Sequence, residues 1–245
     1  MTETEDGRER ARRRELLRRA GVYLVTEESL SAGRRSEEIV EAALEAGVRV
    51  VQVREKEGSA RRALQIAQAV RRLTRRFDAL LIVNDRIDIA LAADADGVHL
   101  GQEDLSIADA RRLLGEAALI GLSITQVAQL AAPDTALADC LGVGAVFPTG
   151  SKSGATLTGL ALLSAARTAA NASAGDPPGR TPAGRVPIVA IGGITAQNAG
   201  RAVLAGADVV AVISAIAAAS NPGRAAAALL EAVRVAGSPR PLAIR

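Results

Sequence analysis

Two carboxylates follow neighbouring apolar segments of the chain. Asp85 comes after the apolar run at residues 80–83 and Asn84, and Asp104 lies shortly after the apolar segment at residues 97–100. Carboxylate oxygens are the ligands that Mg²⁺ prefers, and its other positions usually go to water and substrate phosphates. The pair therefore predicts a site that holds Mg²⁺ and a phosphorylated substrate. Taken singly, Asp85 is more typical of a turn residue and Asp104 of a helix cap.

An amide and two cations alternate at the end of an earlier apolar run. Gln52, Arg54 and Lys56 are each separated by one residue, and such residues in a β-strand point to the same side. Together they predict an anion site. Alone, the pattern is equally compatible with an arginine and a lysine in solvent, but the two carboxylates that follow favour the anion site.

Hydroxyl groups follow the later apolar runs. Ser123 ends one run, and Thr149, Gly150, Ser151 and Lys152 come after another. The hydroxyls and exposed amides of such a loop can hold one phosphate, while a lysine reaches another as a mobile point charge. The glycine spacing before Lys152 is not that of a Walker loop.

Two further runs end in glycines or a serine. Gly192 and Gly193 follow the run at residues 187–191, and Ile213 and Ser214 end the last one. Without side chains, backbone N–H groups can approach a phosphate closely, and a following helix N-terminus favours negative charge. A tight turn would also explain the glycines, but the paired elements favour a phosphate site.

The single histidine and the single cysteine carry weaker signals. His99 either faces a cavity or is a hydrogen-bonded core residue, and the sequence leaves both open. Cys140 begins an apolar run and is expected to be a core thiol. No pattern marks an activated serine nucleophile. The remaining acids of this region are interpreted as surface or turn residues: Asp88, Asp94, Asp96 and Asp109.

Eight strand-then-helix units are predicted from the alternation of short β-branched runs with amphipathic segments. The predicted strands are residues 23–26, 48–54, 80–83, 97–100, 119–123, 141–147, 187–191 and 209–213. Parallel strands with eight helical crossovers close most naturally into a (β/α)₈ TIM barrel, with an open doubly wound sheet as the main alternative. In a barrel, every residue singled out above except Cys140 and the surface or turn acids lies at or near the carboxyl ends of the strands.

The predicted organisation is one α/β domain with two extensions. Residues 1–20 form a charged, Arg-rich arm whose alternating signs suit a solvated surface. Residues 21–236 form the barrel, interrupted by a mobile Pro/Gly-rich loop at about residues 171–185. Residues 237–245 form a flexible tail.

Composition argues against several classes of protein. The net charge is +3, and residues 1–19 account for two of those charges, so the basic balance is local and nucleic-acid binding is not expected. No apolar stretch is long enough for a membrane span, and the basic start lacks a signal-peptide core. We therefore expect a cytoplasmic protein that acts on small molecules; the sequence leaves a homo-oligomer open.

Taken in order, six motifs resemble those of the thiamine-phosphate synthase family, over about residues 23–235. They are residues 52–56 (QVREK), 83–85 (VND), 97–104 (GVHLGQED), 121–123 (GLS), 148–152 (PTGSK) and 190–194 (AIGGI). The resemblance implies a TIM barrel that joins 4-amino-2-methyl-5-hydroxymethylpyrimidine diphosphate to 4-methyl-5-(2-phosphoethyl)thiazole, giving thiamine phosphate and pyrophosphate.

The resemblance also implies roles for individual residues. Mg²⁺ would be held by Asp85 and Asp104. The pyrimidine diphosphate would be contacted by Gln52, Arg54, Lys56, Asn84, Ser123 and Lys152, of which Arg54, Lys56, Ser123 and Lys152 would be catalytic. The thiazole phosphate would be held by Thr149, Gly150, Ser151, Gly193, Ile213 and Ser214.

Two departures from the family pattern bear on the alternatives. Ser151 replaces a threonine and keeps the hydroxyl, and Thr125 stands where the family usually has histidine. The related thiazole tautomerase is thought to use a histidine in that region and lacks the full metal set, so this chain favours a synthase. A non-catalytic barrel that binds thiazole or thiamine phosphate is a third reading, but binding a product alone needs no metal site for pyrophosphate.

Overall fold

Eight parallel strands close into a barrel in chain order, in a computed structural model that describes residues 4–56, 58–150, 157–173 and 185–237. The strands are β1 (Val22–Val25), β2 (Val50–Val53), β3 (Leu80–Asn84), β4 (Gly97–Leu100), β5 (Leu119–Ile124), β6 (Cys140–Val143), β7 (Ile188–Ile191) and β8 (Val209–Val212). Because β1 pairs with both β2 and β8, the predicted (β/α)₈ barrel is confirmed and the open sheet is wrong.

Helices connect the strands on the outside of the barrel. They are α1 (Glu5–Arg19), α2 (Ser36–Glu45), α3 (Ala60–Arg76), α4 (Ile87–Ala92), α5 (Ile107–Leu114), α6 (Pro133–Leu137), α7 (Gly159–Ser173), α8 (Ala199–Leu204), α9 (Ser214–Ala217) and α10 (Pro222–Gly237), with short 3₁₀ turns at Glu28–Leu30 and Val127–Ala131. The ends of these elements follow local signals. Ser59, for example, accepts a hydrogen bond from the backbone of Arg62 at 3.2 Å and caps the start of α3, as serine does at helix N-termini.

Alternation along the strands produces two apolar cores. One set of strand residues packs outward against the helices, as Leu24, Val51 and Leu81 do. The alternate set fills the barrel interior, as Tyr23, Val50 and Leu80 do. Period-two alternation in strands covered on both faces explains why the strands read as unbroken aliphatic runs.

The N-terminal helix α1 closes the amino-terminal end of the barrel. Leu17 is 1% exposed and belongs to the interior cluster, while Arg13 donates to the carbonyl oxygen of Ala117 at 3.1 Å. The sequence predicts a solvated arm for this segment. Its outer arginines do pair with helix neighbours, as Arg12 does with Glu9, but one face of the helix is packed under the strands.

Three aspartates at the same end join neighbouring strands to helices. Asp96, Asp139 and Asp208 directly precede β4, β6 and β8, and each carboxylate accepts a hydrogen bond from a backbone N–H of the preceding strand segment, at 2.8, 2.9 and 2.8 Å. Each also pairs with an arginine from α3, α5 or α7, namely Arg71, Arg111 and Arg167. Helix α1 adds Arg13 to Asp96 and Arg10 to Asp139. The interpretation of Asp96 as a turn or surface acid is therefore wrong, since it is 5% exposed.

The remaining pair of strands, β1 and β2, has an aliphatic contact at the same end of the barrel. A Cβ atom built on Gly47 would lie 3.4 Å from Cδ1 of Leu230, and one on Gly21 would lie 3.7 Å from Cδ2 of the same residue. Leu230, on α10, thus covers the turns that lead into β1 and β2. The β1–β2 quarter of the ring is thus joined by apolar packing.

Two predicted segments fall mostly outside the described residues. Of the predicted loop at about residues 171–185, only its edges are described, as the end of α7 and the start of the segment leading into β7; of the predicted tail, only Gly237 is. Among the described residues, no helix combines the length and apolar character needed to cross a membrane.

Candidate active site

The carboxyl ends of the strands bring most of the predicted residues to one rim. Asn84 is in register with His99, His99 with Gly121, and Ser123 with Gly142. On the other side, Gln52 is in register with Ile82 and Ile191 with Ala211. The residues that follow these positions therefore share the same mouth of the barrel.

Asp85 and Asp104 lie side by side at this rim. Their carboxyl groups are close enough to share a hydrogen bond, and burial, followed by the negative charge of Asp104, raises the pKa of Asp85. The Asp85 backbone has a φ of 60° and donates to the His99 carbonyl at 2.9 Å, and the Gly101 N–H donates to Asp104 at 2.6 Å. Two carboxylates facing each other fit a divalent cation, which would relieve their repulsion.

The predicted cations surround the carboxylate pair. The charges of Lys56 and Arg54 both act on Asp85 in the direction that lowers its pKa. Burial lowers the pKa of Arg54, and the charge of Asp85 opposes that shift. Lys56 is exposed at the mouth. An anion with several negative charges that entered here would meet two cations, next to the two carboxylates that fit a divalent cation.

His99 lies inside the barrel, next to the predicted Ser123. Its Nε2 is 3.0 Å from Ser123 Oγ, and its Nδ1 is buried without a hydrogen-bond partner in the part of the chain described. Burial lowers the pKa of His99 to about 4, so the imidazole is neutral at pH 7. The question left open by the sequence is thereby answered: His99 faces the interior.

Two glycines make room for this imidazole. A Cβ atom on Gly121 would lie 2.4 Å from His99 Nδ1, and one on Gly142 would lie 2.7 Å from Cε1. Distances this short exclude any side chain at either glycine without movement of the ring. The two glycines therefore leave the space that the His99 ring occupies.

The loops after β6, β7 and β8 form the opposite side of the mouth. A Cβ atom on Gly193 would lie 2.3 Å from the carbonyl oxygen of Pro148, so the glycine backbone packs against the loop that carries Thr149 and Gly150. Ser214 begins α9 and is exposed, and Ile213 is partly buried against the interior cluster. The predicted residues Ser151 and Lys152 lie outside the described residues.

Four residues at the rim were not singled out by the sequence. Tyr23 accepts a hydrogen bond from Gln52 at 2.9 Å, and Gln102 donates to the carbonyl of Ser123 at 2.7 Å. Asn198 donates to the carbonyl of Gly193 at 2.9 Å and so fixes the glycine turn. Glu27 pairs with Arg54. For Tyr23, Gln102 and Glu27 the partners are distant in sequence, so local patterns gave no signal for these contacts.

A cavity lies at the other end of the barrel. Its volume is about 620 Å³, and Arg10, Arg111, Glu116 and Asp139 are among its lining residues. These side chains pair with one another, as Arg10 does with Glu116 at 3.2 Å and Arg111 with Asp139 at 2.5 Å. The cavity is therefore a seam between α1 and the barrel, away from the residues assembled at the mouth. Within the described ranges, no group of three or more His, Cys, Asp or Glu side chains is arranged to hold a metal.

The chain is similar to thiamine-phosphate synthases in both sequence and structure. A family model described as thiamine monophosphate synthase matches residues 22–216. A thiamine-phosphate synthase of Haloarcula marismortui is 51% identical over 212 residues, 86% of this chain and 96% of that protein, and one of Haloquadratum walsbyi is 45% identical over 205 residues, 83% and 86%. The solved structure of thiamine phosphate pyrophosphorylase from Pyrococcus furiosus matches with a TM-score of 0.76 at 34% identity, covering 91% of this chain and 100% of that one.

Proposed function

The chain belongs to the thiamine monophosphate synthase family, and we propose that the rim residues described above carry out that reaction here. The protein is a transferase that joins 4-amino-2-methyl-5-hydroxymethylpyrimidine diphosphate to 4-methyl-5-(2-phosphoethyl)thiazole, giving thiamine phosphate and pyrophosphate. One observation carries the assignment of the site: the charges of Arg54 and Lys56 act on a carboxylate, Asp85, that is itself paired with Asp104.

The diphosphate lies against the cations of the mouth in this proposal. Arg54 and Lys56 balance its negative charge, and Lys152, whose assignment rests on the sequence, joins them. Gln52 and Asn84, at the ends of β2 and β3, offer amides toward the same space, and Ser123 offers a hydroxyl. Because Gln52, Asn84 and Ser123 lie on β2, β3 and β5, they are held in place before the substrate arrives.

Asp85 and Asp104 hold Mg²⁺ in this proposal. The raised pKa of Asp85 supports it, since a carboxylate that repels its neighbour gains from a cation between the two. Substrate phosphate and water complete the coordination in such sites. When bound, the ion neutralises charge on the pyrophosphate as it leaves.

The thiazole phosphate occupies the other side of the mouth. Its proposed partners are the hydroxyls of Thr149, Ser151 and Ser214 and backbone amides at Gly150, Gly193 and Ile213. Gly193 suits this role because it has a φ of 63° and packs directly on the loop after β6, which leaves its N–H side free of a side chain.

The chemistry asks the protein to stabilise charge and to align the reactants. Loss of pyrophosphate leaves a pyrimidine-methyl cation that the ring amino group stabilises, and the thiazole nitrogen attacks it. That nitrogen carries no proton, so no general base is required. This agrees with an interior in which the single histidine is neutral and its ring is packed between strands.

The alternatives weighed from the sequence need a different site. A tautomerase-like relative or a barrel that only binds thiazole or thiamine phosphate has no use for two adjacent carboxylates beside a pair of cations. The cytoplasmic location expected from the sequence stays a prediction, which cell fractionation would test.

The direct test is formation of thiamine phosphate by the purified protein. The two phosphorylated heterocycles are incubated with the protein and Mg²⁺, and the product is measured by fluorescence after oxidation. We expect product together with an equal amount of pyrophosphate, and loss of both when EDTA is added. Product formation that is unchanged in EDTA would leave the synthase assignment intact and refute the metal assignment.

A further inference from the structure

A buried acid stands next to the proposed diphosphate-binding arginine. Glu27 lies two residues after β1, is 8% exposed, and forms an ion pair with Arg54, whose side chain is 13% exposed. We infer that Glu27 is a positioning residue, which holds the Arg54 guanidinium toward the diphosphate and away from the metal-binding carboxylates. The inference rests on the proposed function of Arg54.

The backbone around this pair fixes the acid relative to the arginine. The N–H of Thr26 donates to the Gln52 carbonyl at 2.8 Å, and the N–H of Arg54 lies 3.3 Å from Thr26 Oγ1. The ends of β1 and β2 are thus joined on both sides of the ion pair. Ser29 adds a hydroxyl at 3.3 Å from the Glu27 carboxylate. The carboxylate is therefore part of the rim and not a mobile surface group.

Stability alone is a weak reason for such a pair. Removing two charges from water is costly, and apolar residues of similar size often stabilise a protein equally well. A buried pair that lies at the mouth, beside the proposed ligands, is better explained by what it does to Arg54. Guanidinium carries five N–H donors in a planar fork, so Glu27 can occupy part of the fork while other donors remain for a phosphate.

Two further acids act on the same arginine, Asp85 most strongly and then Glu55. The charge of Asp85 acts on Arg54 and opposes the effect of burial on the arginine pKa. Without Glu27, the guanidinium would be drawn toward Asp85, because opposite charges in a partly buried site attract strongly. The pair formed would remove one donor group from the diphosphate and one carboxylate from Mg²⁺ at the same time.

The experiment compares Glu27→Gln with the conservative Glu27→Asp and with Glu28→Gln as the matched control. Glu28 is the next residue and pairs with Arg62 of α3 instead of Arg54. We expect Glu27→Gln to raise the KM for the pyrimidine diphosphate and the Mg²⁺ concentration for half-maximal rate by about tenfold each. The KM for the thiazole phosphate should stay unchanged, Glu27→Asp should restore part of the loss, and Glu28→Gln should behave as wild type.

A second pair of variants separates this inference from the role of Arg54. If Glu27 acts only through Arg54, Glu27→Gln should have no further effect in an Arg54→Ala background. An Arg54→Ala variant with normal diphosphate KM would refute the role of Arg54 itself. Two outcomes would overturn the positioning role alone. In one, Arg54→Ala raises the KM for the pyrimidine diphosphate but Glu27→Gln does not. In the other, Glu27→Gln and Glu27→Asp raise the KM values for both substrates equally.

Discussion

Nε2 of His99 lies 3.0 Å from the hydroxyl oxygen of Ser123, so the single histidine of the chain is bound to a residue of the proposed substrate site. Burial lowers the pKa of His99 to about 4. In the unfolded chain the ring takes a proton near pH 6.5, whereas the folded protein resists it. Folding stability therefore falls as the pH drops from about 6.5 towards 4.

We predict that His99 lowers the unfolding free energy of the wild type by about 2 kcal/mol when the pH falls from about 7.5 to about 5. Urea unfolding at the two pH values, compared with His99→Asn, measures the contribution, since asparagine does not titrate. The variant should lose less stability than the wild type over this range. An equal loss in both proteins would mean that His99 titrates normally when folded.

The carboxylate pair leads to a prediction with opposite effects on activity and stability. Asp85→Asn keeps the side-chain shape and suits the positive φ of this position, as asparagine does. We expect kcat/KM to fall by about a hundredfold or more. Unfolding free energy at pH 7 should be equal to or above that of the wild type, because the fold disfavours the charged form of Asp85. Thermal unfolding and a pyrophosphate-release assay measure the two effects.

The matched control is Asp88→Asn. Asp88 is exposed and pairs with Arg86 outside the proposed site, so its variant should keep wild-type rates and Mg²⁺ dependence. Asp104→Asn should lose activity as Asp85→Asn does. Wild-type turnover in both Asp85→Asn and Asp104→Asn would refute the metal assignment.

Substitution of an aspartate at the amino-terminal end of the barrel, which α1 closes, should lower the stability of the protein without lowering its activity. Asp208→Asn would leave the half-buried Arg167 and Arg185 without their common carboxylate. Breaking a buried pair in this way costs about 3 kcal/mol. Urea unfolding should show this difference, while the KM values of the folded variant stay unchanged because the mouth is at the other end. The exposed pair of Glu231 with Arg234 supplies the control, and Glu231→Gln should leave the unfolding free energy nearly unchanged.

The packing of helix α1 against the barrel predicts a further loss of stability. Leu17 is 1% exposed in the interior cluster, so Leu17→Ala should lower the unfolding free energy by about 2–5 kcal/mol. Leu113 on α5 is 49% exposed, and Leu113→Ala should cost well under half as much. Denaturant unfolding of both variants measures the comparison. Similar small effects would show that α1 contributes little to the stability of the barrel.

The strands and the rim could be predicted from the sequence because both depend on local patterns. Runs such as residues 80–83 are β-branched and aliphatic over the length of one strand, and a barrel places whatever follows them at one mouth. The adjacency of Asp85 and Asp104 follows from that rule. The Gly121 and Gly142 contacts with His99 do not, because they depend on how a large ring fills a shared interior.

The closed end could not be predicted because its contacts join residues far apart in the chain. Asp96 stands between a helix and a strand, where surface acids are common, and only its partners Arg71 and Arg13 explain its burial. Helix α1 has the composition of a solvated segment, with Leu17 as its one fully buried side chain among the residues described. No local pattern distinguishes an arginine that reaches a buried carboxylate from one that points into water.

The aliphatic contact of Leu230 with the turns at Gly21 and Gly47 has a consequence for temperature. Apolar packing weakens on cooling, whereas attraction between paired charges does not depend on that effect. Ion pairs join β3 to β4, β5 to β6 and β7 to β8 at this end of the barrel, whereas an apolar contact joins β1 to β2. On cooling, the barrel should therefore loosen first between β1 and β2.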